Sequence, residues 1–270
     1  MAGRGAALAV LLAAASGCAG VAERPSPAAV QELAPTGKIR FGIVWAPEAS
    51  TFFIGKDAIA KPRGVTVDLA SELGRRLGVP VEFTVAPNTG ELTEALASGR
   101  LDAAFMPVDD ERKKRIDFSG PYFVARNTYL VRPGSDIRTL AEVDRPEIRV
   151  VGISGTTTVR SAARTLKLAK VSPTPSVEEA LAMLRTNKAD AFALTHDTLA
   201  ALAPSVPGSR ILPGAFHEIG ISLGVPKNRP AALAYVTAFV EDAKASGLVR
   251  KAFDDSGFRN AEVAAAGGAR

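Results

Sequence analysis

Hydrophobic and polar positions in the first half of the chain alternate between the periods of strands and helices. Residues 67–77 carry apolar side chains at the spacing of one helical face, and Gly78 follows as a helix C-cap. Residues 38–44 and 81–85 have the alternating or β-branched pattern of strands. The predicted order is strand 38–44, helix 67–77, strand 81–85, helix 91–97 and strand 102–106.

A second block repeats this architecture with different residues. Ser176, with Glu179 three positions later, forms a capping box at the start of one of its helices. The order predicts an α/β fold with parallel strands and helices on both faces, which binds ligands at the carboxyl ends of its strands. The predicted strands are 128–131, 148–153, 190–194 and 219–225, and the predicted helices are 156–168, 176–184, 198–202, 231–243 and 248–253.

The first residues have the features of an export signal. Arg4 precedes an uncharged apolar run, residues 7–15, which is too short to span a bilayer and fits a secretory signal. The run leads to Ala-Ser-Gly and then Cys18, which resembles a lipid-attachment site. Small residues at 15 and 17 also suit ordinary signal cleavage, so the lipidation of Cys18 is one of two interpretations. Residues 1–17 are predicted to be a signal peptide and the protein to be periplasmic, with or without a lipid anchor.

Two terminal segments lack a hydrophobic period. Residues 18–35 contain three prolines and are predicted to form a partly extended tether. Residues 261–270 are rich in Ala and Gly and are predicted to be a frayed tail. The body between them is long enough for one large core or two lobes.

Composition and charge argue against nucleic-acid binding and against metal or cofactor binding. The net charge is +5 and the pI about 9.5, but basic residues alternate with acidic ones, and only three Tyr and one Trp could stack on bases. We therefore predict no nucleic-acid partner. A single cysteine and two histidines, His196 and His217, in separate segments give no metal-ligand cluster. We predict no cofactor and no metal.

Six motifs, in order, resemble one protein family. They are the segments 64–70 (GVTVDLA), 77–83 (LGVPVEF), 96–104 (LASGRLDAA), Glu111-Arg112 followed by 116–122 (IDFSGPY), 152–157 (GISGTT) and 188–191 (KADA). Together the chain from about 38 to 258 resembles the bacterial extracellular solute-binding proteins of family 3, the polar amino-acid ABC transporter type.

The resemblance implies a type II periplasmic-binding-protein fold of two α/β lobes that enclose the ligand. Lobe 1 would comprise residues 36–128 and 223–260, and the inserted lobe 2 residues 129–222. Two hinge strands near 128–131 and 221–224 would connect them, and a ligand touching both lobes would stabilise closure. The implied protein is a monomeric receptor, without enzymatic activity, that delivers a small anionic or zwitterionic ligand to an ABC transporter permease.

The resemblance also assigns a ligand site. Arg112 would bind the ligand carboxylate with its planar guanidinium, although residues 109–115 taken alone are a charge run typical of a solvated surface. Gly155, Thr156 and Thr157, between a strand and a helix, would form an anion site from free N–H groups and hydroxyls. A threonine at this place would also serve as a simple helix N-cap, and the two interpretations are compatible.

Three positions depart from the family pattern. Thr195 stands where relatives place a carboxylate for an α-ammonium group, and Phe105 and Pro107 stand where they place hydroxyls or carbonyls. A desolvated ammonium without a carboxylate partner is costly, so the ligand is hypothesised to be a carboxylate without an amino group. Glu48, Asp109 and Asp197 lie near enough in sequence to substitute for the missing carboxylate, which keeps an amino acid open.

Two further side chains, Trp45 and His196, have two interpretations each. Trp45, the only tryptophan, follows a strand and either stacks on the ligand or packs in the core. His196 either lines the cleft or begins a surface helix. Glu48 or His196 could serve as the general acid of a secreted dehydratase acting on a cyclic carboxylic acid, which is the alternative function.

Overall fold

The computed structural model describes residues 24–267, which form ten strands and nine α-helices. The strands are β1 (Ile39–Ala46), β2 (Ile54–Gly55), β3 (Val81–Ala86), β4 (Ala103–Pro107), β5 (Ile116–Val131), β6 (Arg149–Ile153), β7 (Lys170–Thr174), β8 (Ala191–Thr195), β9 (Arg210–Ile211) and β10 (His217–Pro226). The helices are α1 (Pro27–Leu33), α2 (Val65–Leu77), α3 (Thr89–Ala97), α4 (Asp110–Lys113), α5 (Thr157–Thr165), α6 (Val177–Arg185), α7 (His196–Leu202), α8 (Pro230–Ala245) and α9 (Leu248–Asp255).

Each lobe contains a small parallel sheet. In lobe 1, β1 lies between β3 and β4 and is parallel to both. In lobe 2, β6 lies between β7 and β8 and is parallel to both. The strand β7 was not predicted, because Pro173 and its polar neighbours suppress the strand pattern; as an edge strand it tolerates the proline.

Two long strands connect the lobes. β5 and β10 pair antiparallel from Ile116 opposite Pro226 to Asn127 opposite His217. β5 then pairs with β8 of lobe 2 from Asn127 onward, while β10 pairs with β4 of lobe 1 between 221 and 224. The predicted α/β fold with two lobes and two connecting strands is confirmed. Residues 128–131 lie on the lobe 2 side of the crossing, since they are bonded to β8.

A buried aspartate joins the first strand of lobe 1 to the start of β4. The Asp102 carboxylate has no exposed surface and accepts hydrogen bonds from the Arg40 backbone N–H at 3.0 Å and from its guanidinium at 2.7 and 2.8 Å. Arg229 adds a bond of 3.1 Å from the segment before α8. We call this arrangement the lobe 1 clasp.

The same arrangement recurs in lobe 2. Asp190, just before β8, accepts from the Arg149 backbone N–H at 3.0 Å and from its guanidinium at 2.8 and 3.1 Å, and Arg132 adds a bond of 2.8 Å. Burial opposes ionisation, but the bonds from Arg149 and Arg132 hold the pKa of Asp190 below its ordinary value. These three residues are the lobe 2 clasp.

An aromatic column fills the core of lobe 1. Phe41 and Phe105 have ring centroids 5.6 Å apart, Phe105 and Tyr122 are 5.0 Å apart, and Tyr122 lies 6.1 Å from Phe253. Such contacts between buried rings fix the ends of β1 and β4 relative to β5. The loops that follow these two strands are therefore held on a rigid base.

The N-terminal part of the described chain is helical, unlike the predicted tether. Ser26 caps α1 by accepting from Ala29 N–H at 3.1 Å, and Pro27 occupies the first turn, where its missing N–H costs nothing. Leu33 is buried against α8, and the Glu32 carboxylate accepts from a backbone N–H of that helix. The predicted signal peptide and Cys18 lie outside the described residues.

The C-terminal segment 261–267 is also ordered, although fraying was predicted. The Ala264 N–H donates to the Tyr122 carbonyl at 2.9 Å, and the buried Lys244 ammonium donates to the Ala265 carbonyl at 3.0 Å. These bonds fasten the segment to β5 and α8. Among residues 24–267, no helix combines the length and the apolar character needed to cross a membrane.

Candidate functional site

Arg112 lies at the carboxyl end of β4 and points into the contact between the lobes. Asp109 caps α4 and accepts from the Arg112 backbone N–H at 2.9 Å, which sets the direction of the side chain. The guanidinium donates to the Pro107 carbonyl at 2.7 Å, to the Thr89 hydroxyl at 2.7 Å and, across the lobes, to the Gly155 carbonyl at 3.2 Å. Only 2% of the residue is exposed.

The charge of Arg112 has no carboxylate partner within ion-pair distance in the described chain. Its three acceptors are neutral, and its Nε has no hydrogen-bond partner. Burial lowers the pKa of Arg112 to about 9, with the Arg160 cation adding to the effect and Asp109 opposing it. The group remains cationic at neutral pH and is a desolvated, uncompensated charge.

The turn from β6 into α5 faces Arg112 from lobe 2. The Thr156 hydroxyl accepts from Val159 N–H at 3.3 Å and donates to the Ile153 carbonyl at 2.7 Å, so it serves as the helix N-cap. The Thr157 hydroxyl, in contrast, is fully buried and has no partner. Of the two threonines, Thr157 is the one with a free hydrogen-bonding group.

Two glycines allow the lobes to meet closely at this point. Gly155 has φ of +68°, and a Cβ on it would lie 3.0 Å from the Cα of Gly90 in α3. Glycine is therefore required at 155 both by backbone conformation and by space.

An ion pair crosses the lobes beside these glycines. Arg160 on α5 donates to the Asp109 carboxylate at 2.8 Å through Nε and to the Gly155 carbonyl at 3.1 Å. The Asp109 carboxylate is thus already paired with a cation, which removes it from the candidates for binding an ammonium group.

Hydroxyl groups connect the lobes on the other side of the site. Thr195, the last residue of β8, donates to the Thr198 hydroxyl at 2.8 Å, which in turn donates to the Ser50 hydroxyl of lobe 1 at 3.2 Å. All three are buried. The predicted site residue Thr195 therefore lies in the contact between the lobes.

Asp197 adds a second carboxylate that bonds across the lobes. The Thr51 hydroxyl of lobe 1 donates to it, and the Thr51 carbonyl accepts from the buried Tyr122 hydroxyl at 2.8 Å. Burial raises the pKa of Tyr122 well above its usual value, and the Asp197 charge adds to the shift. We call the whole contact the inter-lobe seam; it comprises residues 50–51, 89–90 and 107–112 of lobe 1 and residues 155–160 and 195–198 of lobe 2.

The family model for bacterial extracellular solute-binding proteins, family 3, matches residues 44–255, which include every segment of the seam. The chain belongs to this family.

Individual relatives agree with that assignment. A probable histidine-binding protein of Campylobacter jejuni is 30% identical over 57% of this chain and 59% of its own length. A mutant of ArgBP from T. maritima superimposes with a TM-score of 0.73 at 26% identity, covering 84% of this chain and 98% of that one. An ancestral amino-acid-binding protein, described as a precursor of cyclohexadienyl dehydratase, superimposes with a TM-score of 0.72 at 26% identity. The match covers 84% of this chain and 98% of that one.

Three of the predicted site residues occupy different settings in this family 3 protein. Phe105 is buried in the aromatic column of lobe 1, so its ring acts in core packing. Pro107 contributes its carbonyl to Arg112. Trp45 is half-buried and packs against the lobe 1 core while keeping part of its surface exposed, which leaves both of its interpretations in place.

Glu48 and His196 lie at the surface. Glu48 is exposed in the loop after β1, and His196 is exposed at the first position of α7. Neither is in the buried part of the seam, where the dehydratase hypothesis needs its general acid. In the range 24–267, no group of three His, Cys, Asp or Glu side chains is arranged to hold a metal ion.

Some seam residues were not singled out from the sequence. Thr89 belongs to no recognisable motif. The residue before it, Asn88, caps α3, and this capping signal would have placed Thr89 at the start of a helix. Ser50 and Thr51 follow β1 without any strand or helix pattern. Beside the seam, Asn127 of β5 lies opposite Thr195 and has a fully buried side chain without hydrogen-bond partners, which the alternation of polar and apolar residues in a strand does not predict.

Proposed function

We propose that this protein is the extracytoplasmic substrate-binding component of an ABC importer and that it holds a small carboxylate between its lobes. The observation that carries the proposal is the buried guanidinium of Arg112, located in the seam and bonded only to neutral acceptors. A desolvated cation of this kind is strongly stabilised by an anionic partner.

The contacts of Arg112 indicate how a carboxylate would enter. Its bond to the Gly155 carbonyl is the longest of the three at 3.2 Å and is the one that crosses the lobes. A carboxylate between the lobes takes over this position, uses the unpaired Nε, and brings its second oxygen toward the free hydroxyl of Thr157. The ligand thereby joins a lobe 1 cation to the first turn of α5 in lobe 2.

Closure follows from where the contacts lie. The Asp109–Arg160 pair, the Gly90–Gly155 approach and the Thr51–Asp197 bond all join the two lobes, and within residues 24–267 only β5 and β10 connect the two sheets. A rotation about these two strands breaks and remakes the seam as a unit, which is how a hinged receptor admits and encloses its ligand.

The ligand is a polar carboxylate, either an amino acid or an organic acid without an amino group. The relatives, a probable histidine-binding protein and an ancestral amino-acid-binding protein, favour the first, whereas the neutral Thr195 favours the second. The receptor is proposed to act as a monomer in the periplasm, delivering to a permease, with an anchor if Cys18 is lipidated.

A thermal-shift screen of the purified chain tests the proposal. Each α-amino acid is run beside its deaminated analogue, with dicarboxylates and aromatic acids included. At a hundredfold excess over Kd a true ligand adds about 2.7 kcal/mol to the free energy of unfolding. Arg112→Ala should abolish the shift, and Lys113→Ala, the exposed cation next in sequence, should leave it unchanged.

Two outcomes count against the proposal. One is a carboxylate ligand that binds Arg112→Ala as tightly as the native chain. The other is turnover of prephenate or arogenate by the native chain, which would establish the dehydratase alternative.

A further inference from the structure

The side chain of Asn127 is an unexplained polar group in the middle of the molecule. The residue has no exposed surface, and neither its Nδ2 donor nor its Oδ1 acceptor has a hydrogen-bond partner. A buried carboxamide without partners costs several kcal/mol relative to a paired one, and a leucine of similar shape would avoid this cost. Such a group calls for a functional explanation.

The strand register places Asn127 at the seam. It lies opposite Thr195 of β8, and paired residues on neighbouring strands project their side chains on the same face about 5 Å apart. The Thr195 hydroxyl is linked through Thr198 to Ser50 of lobe 1. The Asn127 carboxamide therefore lies in lobe 2 next to the residue at which the lobes touch.

The same face of the sheet is covered by α5. Tyr129, two residues after Asn127, packs with Ala193 and with Ala162 of α5 in one buried cluster. Small residues in this layer, such as Gly152 beneath Val159, let the first turn of α5 approach the strands. That turn carries Thr157, whose buried hydroxyl also lacks a partner. Three side chains in this layer therefore have unpaired neutral groups, namely the Asn127 carboxamide, the Tyr129 hydroxyl and, nearest the seam, the Thr157 hydroxyl.

We propose that Asn127 is a specificity-determining residue that pairs with a carboxamide of the ligand. This inference rests on the proposed function, in which Arg112 holds the carboxylate of the same molecule. The ligand then has an anionic end in the seam and a neutral amide end that reaches under α5.

The chemistry of the unpaired atoms selects the group. Nδ2 needs an acceptor and Oδ1 needs a donor, and the two atoms lie side by side in one plane. A carboxamide supplies a C=O and an N–H in the same arrangement and forms two reciprocal hydrogen bonds. A carboxylate supplies only acceptors, an ammonium only donors, and an alkyl chain neither, so each leaves at least one atom of Asn127 unpaired.

Binding of matched probes tests the inference. Calorimetric Kd values are measured for glutaramate, glutarate and pentanoate, and for L-glutamine, L-glutamate and L-norvaline, which in each set differ in the terminal group. The native chain should bind the amide member of at least one set about tenfold or more tightly than its two analogues, or about 1.4 kcal/mol. Asn127→Leu should reduce this ratio to about one while the carboxylate analogues keep their affinity.

Two controls separate a ligand contact from a structural role. Asn260→Leu, at an exposed position, should leave the ratio unchanged. Asn127→Leu without ligand should melt at the same temperature as the native chain or above it, because an unpaired buried amide is removed. A fall of several degrees would show that Asn127 serves the fold and would overturn the inference.

The remaining outcomes distinguish this inference from the proposed function. If carboxylates bind through Arg112 but the native chain shows no preference for amides, or if Asn127→Leu keeps that preference, only the role of Asn127 is wrong. If no probe and no other carboxylate binds, or if Arg112→Ala binds as well as the native chain, both proposals fail.

Discussion

The two lobes share one structural device and differ in what they bring to the seam. In each, an aspartate just before a central strand accepts the backbone N–H and the guanidinium of an arginine at the start of the neighbouring strand. The matching distances, 3.0 and 2.8 Å in both lobes, show that the clasps are equivalent. At the opposite ends of these strands, lobe 1 presents the buried cation Arg112, whereas lobe 2 presents buried hydroxyls together with Arg160 and Asp197, which both bond to lobe 1.

This difference separates scaffold from function within one architecture. The clasps lie at the ends of the strands away from the seam, where each aspartate is bonded to two arginines. The seam ends leave polar groups unpaired, namely the Arg112 Nε, the Thr157 hydroxyl and both atoms of the Asn127 carboxamide. Unpaired buried groups also occur away from the seam, at the Thr66 hydroxyl and at the Nε of Arg210 and Arg250, so the proposed binding site rests on the concentration of such groups at and beside the seam.

Breaking the clasps should have the largest effect on the fold and should be unequal between the lobes. Asp102→Ala leaves Arg40 and Arg229 without their shared buried carboxylate and should lower the free energy of unfolding by about 3–5 kcal/mol. Asp190→Ala should cost less, because the side chains of Arg149 and Arg132 are 53% and 31% exposed and can be solvated by water.

Urea unfolding of both variants measures this difference. Asp136→Ala, which breaks an exposed pair with Arg145, is the control and should leave the free energy of unfolding almost unchanged. Equal losses of unfolding free energy in Asp102→Ala and Asp190→Ala would mean that burial does not determine how much each clasp stabilises its lobe.

A methyl group at the glycine contact should weaken ligand binding in addition to its cost in stability. Gly155→Ala and Gly78→Ala both place a side chain on a backbone with φ near +70°, and each should cost about 1 kcal/mol of stability. At Gly78 nothing lies within 4 Å of the added Cβ, but at Gly155 the Cα of Gly90 is 3.0 Å away. Only Gly155→Ala should therefore weaken ligand binding, by about tenfold, because it hinders closure.

Isothermal titration calorimetry with the same ligand measures the Kd of the two alanine variants. If Gly78→Ala weakens binding as much, the effect comes from general destabilisation and not from the contact between the lobes.

The fold was largely predictable because its local signals are consistent. The apolar face of residues 67–77 and the glycine after it predicted α2 within two residues, and Gly78 has the expected left-handed conformation. For β5 only residues 128–131 were predicted, whereas the strand begins at Ile116. Gly120 and Pro121 interrupt its pattern, and irregular pairing with β10 accommodates them.

Only those features of the site that are specified by a single segment of the sequence could be predicted. The motif around Arg112 indicated the cation, and the segment before α5 indicated the turn that faces it. No local pattern could show that Asp109 is neutralised by Arg160, since the pair spans 51 positions and forms only between lobes. The lack of hydrogen-bond partners for Asn127 likewise depends on how three strands and a helix pack together, and no single segment of the sequence specifies that packing.

That inter-lobe pair provides the smallest and most specific test of the comparison. The Asp109 side chain is 9% exposed and that of Arg160 28%, so the bond is stronger than a surface pair but is not fully desolvated. A double-mutant cycle with Asp109→Asn and Arg160→Met should give a coupling of about 1 kcal/mol in ligand binding. The coupling could instead appear in the unfolding free energy of the unliganded chain and not in the affinity. The pair would then stabilise the fold, and the contact between the lobes would form independently of the ligand.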